Sequence, residues 1–265
     1  MDLENRVAIV TGGAMGNGLG IAKVFLSKGA KIAIFDMSET LDDVVKDLCD
    51  QGYEVIGFRV NITDKEAVNK AVEATVKHFG KIDILVNNAG VMDALGILDA
   101  SDENLDFHIN VNVKGPWNVT KAVAPYMVER KYGRIVTLSS VTGTFVSDGD
   151  DTAYAVTKAA LAGFGRSIAM LFIKDGITSN VMCPGFIHTP MVDKYAMECN
   201  PNDPESVLDS IGKSLPIGHL GTPEDVGYLA AYLASEHAGF ITGAVIPIDG
   251  GCILPETNMD YIVED

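Results

Sequence analysis

Residues 6–36 read RVAIVTGGAMGNGLGIAKVFLSKGAKIAIFD, and this stretch decides the fold. Arg6 to Thr11 is a short apolar, β-branched run, Gly18 to Ser27 carries helical spacing, and Lys31 to Asp36 is a second β-branched run. A helix between two strands is the connection that parallel pairing requires. The turn between the first strand and the helix is Thr11-Gly12-Gly13-Ala14-Met15-Gly16-Asn17-Gly18. Glycine there lets the backbone turn tightly and approach a pyrophosphate, whose charge meets the free N–H groups of the helix start. Taken alone, the same turn is also an ordinary strand-to-helix connection.

The rest of the chain repeats the unit. Glu54 to Arg59, Ile82 to Asn87, Arg134 to Ser139, Ile177 to Cys183 and Ala244 to Ile248 read as further buried strands. Thr40 to Asp50, Lys65 to Phe79, Val111 to Glu129, Thr152 to Phe172 and Pro223 to Ala234 carry helical spacing between them. Strand and helix in alternation predict an α/β fold, a parallel sheet with helices on both faces. No linker, low-complexity run or internal repeat interrupts the pattern, so residues 1–265 are expected to form a single domain. The one long irregular region, about 188–220, reads as a substrate lid.

Composition narrows the function. Hydrophobic residues make up 47% and charged residues 21%, as in a folded globular chain. The formal charge of -16 repels phosphate backbones and anionic lipid, so neither nucleic acid nor membrane is an expected partner. No uninterrupted apolar run is expected to reach spanning length. The acidic Met1-Asp2-Leu3-Glu4-Asn5 start lacks a secretory pattern, and Cys49, Cys183, Cys199 and Cys252 show no metal-ligand spacing. A cytoplasmic location and no metal are the expectations. Asp148, Asp150 and Asp151 precede a helix and read as its solvated acidic start.

Asp36 ends the second strand, where the adenosine ribose of a dinucleotide bound at the glycine turn would lie. A carboxylate there accepts from both ribose hydroxyls and repels a 2′-phosphate, which favours NAD(H) over NADP(H). Tyr154 and Lys158 share one helical face, close enough for an ammonium to favour phenolate. A tyrosine with a pKa near its usual value of about 10 is a poor acid–base catalyst at neutral pH, so that neighbour matters.

These motifs, with Asn87-Asn88-Ala89-Gly90, Ser139-Ser140 and Pro184-Gly185, resemble the short-chain dehydrogenase/reductase family from Val7 to about Gly251. The resemblance implies a Rossmann-type, doubly wound sheet of seven parallel strands in the order 3-2-1-4-5-6-7. It implies that Tyr154 is the general acid in ketone reduction and the general base in alcohol oxidation. Lys158 would hold the nicotinamide ribose and lower the tyrosine pKa, Ser140 would donate to the substrate oxygen, and Asn112 would hold a water relaying protons to solvent. For the cofactor it implies Gly12, Met15, Gly16, Asn17, Gly18 and Asp36, then Asn61 and Ile62 around adenine, Asn88 and Gly90 beside the nicotinamide ribose, and Ile187 and Thr189 at the carboxamide. Asn17 departs from the family's usual aliphatic residue, and Asn61 from its frequent Asp.

Asp106 to Asn110, Gly115 to Ala122, Ser139 to Gly143, Asn202 to Leu208 and the ending through Leu254-Pro255-Glu256-Thr257 resemble the UcpA-like branch of that family. Some bacterial hydroxysteroid dehydrogenases share the general build. Phe186, Met191, Val192, Tyr195 and Met197 in the lid, with Val91, Met92 and Leu95, suggest an apolar substrate wall, so a bulky alcohol or ketone such as a hydroxysteroid is the expectation. The alternatives are a reductase of small aldehydes, a sugar or polyol dehydrogenase, an NADP-linked reductase and a non-catalytic dinucleotide-binding redox sensor. The family's habit, and the small residues Ala153, Ala155, Ala159, Ala160, Ala162 and Gly163 around Tyr154, imply a homotetramer.

Overall fold

Seven parallel strands form the sheet in the computed structural model, which describes residues 2–147 and 149–255. The elements run β1 (Val7–Thr11), α1 (Gly16–Ser27), β2 (Lys31–Asp36), α2 (Leu41–Asp50), β3 (Val55–Arg59), α3 (Lys65–Phe79) and β4 (Ile84–Asn87). There follow α4 (Asp102–His108), a π-helical turn (Ile109–Lys114), α5 (Gly115–Arg130), β5 (Gly133–Leu138), α6 (Thr152–Phe172) and β6 (Ile177–Pro184). The chain then forms α7 (Pro190–Cys199), α8 (Pro204–Ser214), α9 (Pro223–Ala234) and β7 (Val245–Ile248). The strand order is β3-β2-β1-β4-β5-β6-β7, and the sheet reverses direction of growth between β1 and β4. Ligand clefts in such sheets open at the carboxyl ends of the strands beside that switch.

The central strands read as unbroken apolar runs because both of their faces are covered. Ala8 and Val10 of β1 pack with α1, α2 and α9, whereas Ile9 between them packs with α3 and α5 on the other face. Ile32 and Ile34 against Ala33 and Phe35 repeat the alternation in β2. Helix α3 begins where expected because the Asp64 carboxylate accepts from the Glu66 and Ala67 amides at 2.9 and 3.1 Å, and it stops at Gly80 with φ 82°. Below the sheet, the buried Asp83 accepts from the Val7 amide at 2.9 Å and pairs with Lys81 and Arg130. That rim is structural and stands opposite the end where the chemistry sits.

Three expectations need correction. The region 188–220 is not irregular: it contains α7 and α8. The helix expected from Val111 is α5 from Gly115, preceded by the π-helical turn and by α4. Segment Thr152–Asp175 is, by length and composition, long and apolar enough to cross a membrane, with mean hydropathy 1.4. In the fold that segment carries Tyr154 and Lys158 into a cleft and buries Leu161, Gly165 and Ala169. Finally, the acidic start of α6 is not simply solvated: Asp150 is exposed, but Asp151 is 8% exposed and its carboxylate does not cap the helix. Asp148, Glu256 and Thr257 lie outside the described residues.

Candidate active site

A cleft of about 920 Å³ runs along the carboxyl ends of the strands and joins the two halves of the sequence argument. At one end it is lined by Asp36, Asn61 and Ile62, in the middle by Gly12, Met15, Gly16, Asn17 and Asn88, and at the other end by Gly90, Ser140, Tyr154 and Lys158. Ile187, Thr189, Met191 and Val192 close it from the lid side.

The glycine turn has its shape for steric reasons. Gly12 and Gly16 hold φ of 64° and 50°, and a Cβ on Gly18 would lie 1.9 Å from the Gly12 carbonyl oxygen. Asn88 fixes the turn from below, its Nδ2 donating to the Thr11 and Gly12 carbonyls at 2.9 and 3.0 Å. Helix α1 starts at Gly16 without a side-chain cap, so its first turn offers backbone N–H groups to an anion. The Asp36 carboxylate is oriented by the Ala14 amide at 2.9 Å and the Ser38 amide at 2.8 Å. Arg59 lies across from Asp36 in the β2–β3 register, where its guanidinium meets Asp42 at 3.4 Å. Cradle, anion-seeking helix start and terminal carboxylate together fit a nicotinamide dinucleotide.

At the other end, α6 is bolted to β5. The Ser139 hydroxyl donates to the Lys158 carbonyl at 2.6 Å, and Lys158 Nζ donates to the Leu138 carbonyl at 3.1 Å. Nζ lies 5.3 Å from the centre of the Tyr154 ring, so ring and amine share one face as the i, i+4 spacing predicts. Their electrostatics differ from the expectation. Burial pushes the Tyr154 phenol up to about 12, against the opposing effect of a hydrogen bond with Ser140, and the Asp151 carboxylate adds to the rise. Burial also pushes Lys158 down to about 8. In the protein by itself desolvation outweighs the mutual help that the sequence suggests.

Asn112 is buried on the π-helical turn, a local widening that often marks functional helices. Its Oδ1 accepts from the Val91 amide at 2.8 Å, and its Nδ2 donates to the Val91 carbonyl at 2.9 Å and to Thr157 Oγ1 at 3.0 Å. Both amide donors are therefore engaged in clamping the loop after β4 to α6. Thr157, which passes the bond on to the Tyr154 carbonyl at 2.8 Å, was invisible to motif reading. So was Cys183, a buried thiol raised by burial and held among Ser139, Thr144 and Lys158. Ser140 is held by the Thr142 amide, which donates to its Oγ at 3.2 Å.

Of the residues expected to wall a substrate, only some line the cleft. Met191, Val192 and Val91 line the cleft, joined by Phe107, Asn110 and Val111 from α4 and the π-helical turn. Phe186 and Tyr195 are outside the lining and 40% exposed, and Met92, Leu95 and Met197 are outside it too. His188 pairs with Asp193 at 2.9 Å over the first turn of α7, a bond that braces the lid helix.

The comparisons with known proteins agree with this geometry. A family model described as enoyl-(acyl carrier protein) reductase matches residues 12–252. The chain is 45% identical over 255 residues to oxidoreductase UcpA of Escherichia coli K12, covering 96% of this chain and 97% of that protein. It is 37% identical over 255 residues to the 3-oxoacyl-[acyl-carrier-protein] reductase FabG of Thermotoga maritima, covering 96% of this chain and 100% of that one. Among solved structures, L-sorbose reductase from Gluconobacter frateurii, complexed with NADPH and L-sorbose, superposes with a TM-score of 0.91 at 31% identity, covering 96% of this chain and 99% of its own. The chain belongs to the short-chain dehydrogenase/reductase family, in its UcpA-like branch, and is an oxidoreductase built to bind a nicotinamide dinucleotide.

Proposed function

We propose that the protein interconverts a secondary alcohol and a ketone with NAD(H), with Tyr154 as the acid–base group and a bulky apolar substrate such as a hydroxysteroid. The observation that carries this reading is the continuity of one cleft from Asp36 past the glycine turn to Ser140, Tyr154 and Lys158. A bound nicotinamide supplies or accepts the hydride. In the reductive direction Tyr154 gives its phenolic proton to the carbonyl oxygen as the carbon receives hydride, and in oxidation it takes the proton back. Ser140 donates to that oxygen and stabilises its developing charge. Lys158 holds ribose hydroxyls and supports the phenolate, and Asn112 keeps the loop after β4 and α6 in register. Gly12, Met15, Gly16, Asn17, Gly18, Asn61, Ile62, Asn88, Gly90, Ile187 and Thr189 hold the dinucleotide.

The preference for NAD(H) rests on the orientation of Asp36, whose carboxylate would repel a 2′-phosphate while Asp42 occupies Arg59. The apolar preference rests on Met191, Val192, Val91 and Phe107. Among the described residues, Lys158 is the one cation in the lining, so a carboxylate- or phosphate-bearing substrate would meet no second positive charge there. A sugar substrate is the second reading, favoured by Asn110 in the lining and by the likeness to L-sorbose reductase.

The test is a steady-state screen of NADH and NADPH oxidation over steroid ketones, aromatic aldehydes and keto sugars. Turnover of apolar ketones with NADH, lost by at least about a hundredfold in Tyr154→Phe, is expected. Asp36→Ala is expected to narrow the gap between NADH and NADPH. Turnover of keto sugars alone would eliminate the apolar reading, and cofactor selectivity unchanged in Asp36→Ala would eliminate the ribose argument.

A further inference from the structure

We propose that His108 is a positioning residue for substrate selection: its buried imidazole latches the loop after β4 to α4 and so fixes the spacing of two walls that face the substrate. The proposal rests on the reading of the catalytic end of the cleft as a ketone site, and it concerns which ketones are admitted there rather than how the proton moves. His108 is the last residue of α4 and is fully buried, and the proton transfer assigned to Tyr154 makes no use of it. Its Nδ1 lies 2.8 Å from the Asn104 carbonyl, which can only accept, so that nitrogen carries the ring proton. Nε2 is then an acceptor, and it takes the Asp93 amide at 3.2 Å. The imidazole, held in one tautomer, thus spans from its own helix to the loop.

Residues 88–96 lie outside the strands and helices, so their backbone groups depend on bonds from other elements. Alternate residues of the loop receive them. Asn112 bonds both backbone groups of Val91, His108 takes the Asp93 amide, and the Leu95 carbonyl accepts from the Thr152 amide at 3.2 Å. Asn104 Nδ2 adds a second hold on Asp93, donating to its carboxylate at 3.0 Å. Val91 lines the cleft from the loop, whereas Phe107, Asn110 and Val111 line it from α4 and the π-helical turn. His108 joins these two walls, with the Phe107 ring edge-on to its imidazole at 6.0 Å between centres. An aliphatic side chain in its place would fill the volume but take the acceptor from the Asp93 amide, and the middle of the loop would be free to move away from α4. The two walls would then part, and a bulky apolar group packed between them would lose contact that a small one never made.

Two substitutions in the full chain separate the two ring nitrogens. In His108→Gln the side-chain carbonyl reaches the place of Nε2 and can accept from Asp93, whereas in His108→Asn the shorter amide reaches only the place of Nδ1 and the Asp93 bond is lost. Asn104→Ala releases the Asp93 carboxylate instead, carries the same expectations as His108→Asn, and decides the matter if that variant does not fold. Hydrogen exchange read by mass spectrometry over residues 91–97 reports the latch. Steady-state reduction of 1-phenyl-1,2-propanedione and 2,3-butanedione with each of NADH and NADPH reports selection, since the two diones differ only in phenyl against methyl. His108→Asn should exchange residues 91–97 about fivefold faster than the wild type with β4 and β5 unchanged, the effect of about one hydrogen bond. Its KM for the phenyl dione should rise about tenfold at near-constant kcat, while KM for butanedione and for the reduced cofactor stays within about twofold. His108→Gln should match the wild type in both readouts. Equal changes in His108→Gln and His108→Asn would reduce the imidazole to a filler of volume and overturn the proposal, and so would equal rises in KM for the two diones. A wild type that reduces neither dione would sink the ketone reading, and the exchange comparison would then decide the latch alone.

Discussion

Lys158 is 6% exposed and pushed down from 10.5 to about 8, chiefly because burial penalises its charge. That lowering corresponds to roughly 3 kcal/mol of preference for the neutral amine in the folded protein. The unfolded chain then binds the proton more tightly than the folded one, so the penalty is fully present below pH 8 and fades as pH rises towards 10.5. Lys158→Met, nearly equal in size and free of charge, is therefore expected to unfold at a higher temperature than the wild type at pH 7, with the gap closing above pH 10 in calorimetric scans. An equal or lower melting point at pH 7 would show that the Leu138 bond compensates the burial. Tyr154 is displaced the other way, up to about 12, against the Ser140 hydrogen bond, and a positive group brought beside it would draw it down further. Absorbance titration of wild type against Tyr154→Phe should therefore place its ionisation near 12 in the free protein and lower once oxidised dinucleotide is added. A midpoint below 10 without the cofactor would contradict that account. The pairing of Tyr154 with Lys158 was legible from their spacing. The directions of their shifts were not, because they depend on burial under residues distant in the chain, such as Leu138, Ser139 and Cys183.

Among the elements, legibility followed the width of the buried face. The limits of β2, α3, α6 and α9 could be read from the chain because each presents several buried apolar residues at one period. Helices α7 and α8 could not, although Thr189-Pro190 and Asp203-Pro204 are ordinary helix starts, because the only buried residues they contribute are Ala196 and Gly212. The π-helical turn was legible only as the start of the helix expected from Val111: its wider winding is held by tertiary bonds from Asn112, which the chain's spacing does not show. The contact of α1 with α9 shows what the glycine turn leaves behind. A Cβ on Gly20 would lie 2.4 Å from the Pro223 Cβ and 2.6 Å from its backbone carbonyl, so no side chain can yield to make room. Gly20→Ala is expected to lower stability by about 1–3 kcal/mol through forced separation of the two helices. Urea unfolding would register this as a lower midpoint with an unchanged slope. An unmoved midpoint would mean that α9 shifts freely, and that its Thr222–Asp225 capping box does not hold its first turn in place.

At the scale of the whole molecule, two surface properties oppose each other. A formal charge of -16 keeps chains apart, yet the outer side of α6 exposes Val156, Met170 and Leu171 at 53, 78 and 64%, and Trp117 on α5 is 57% exposed. Trp117 and Phe164 bring their rings within 6.2 Å of each other, which joins the outer sides of α5 and α6 into one apolar surface. We propose that further copies of the chain cover this surface in a homotetramer. Because α6 also carries Tyr154 and Lys158, assembly would brace the catalytic helix from outside while Ser139 holds it from within. Two consequences separate this from a monomer with a greasy face. Association should strengthen with added salt, since screening removes repulsion between acidic chains while apolar contact remains. Leu171→Glu should reduce the species seen in sedimentation velocity and shift the emission of Trp117, the chain's one tryptophan, to longer wavelength. The variant should also lose activity, because α6 is then braced on one side only. A wild type that sediments as a single chain at every salt concentration, with full activity, would remove the assembly and leave the apolar face of α6 without this explanation.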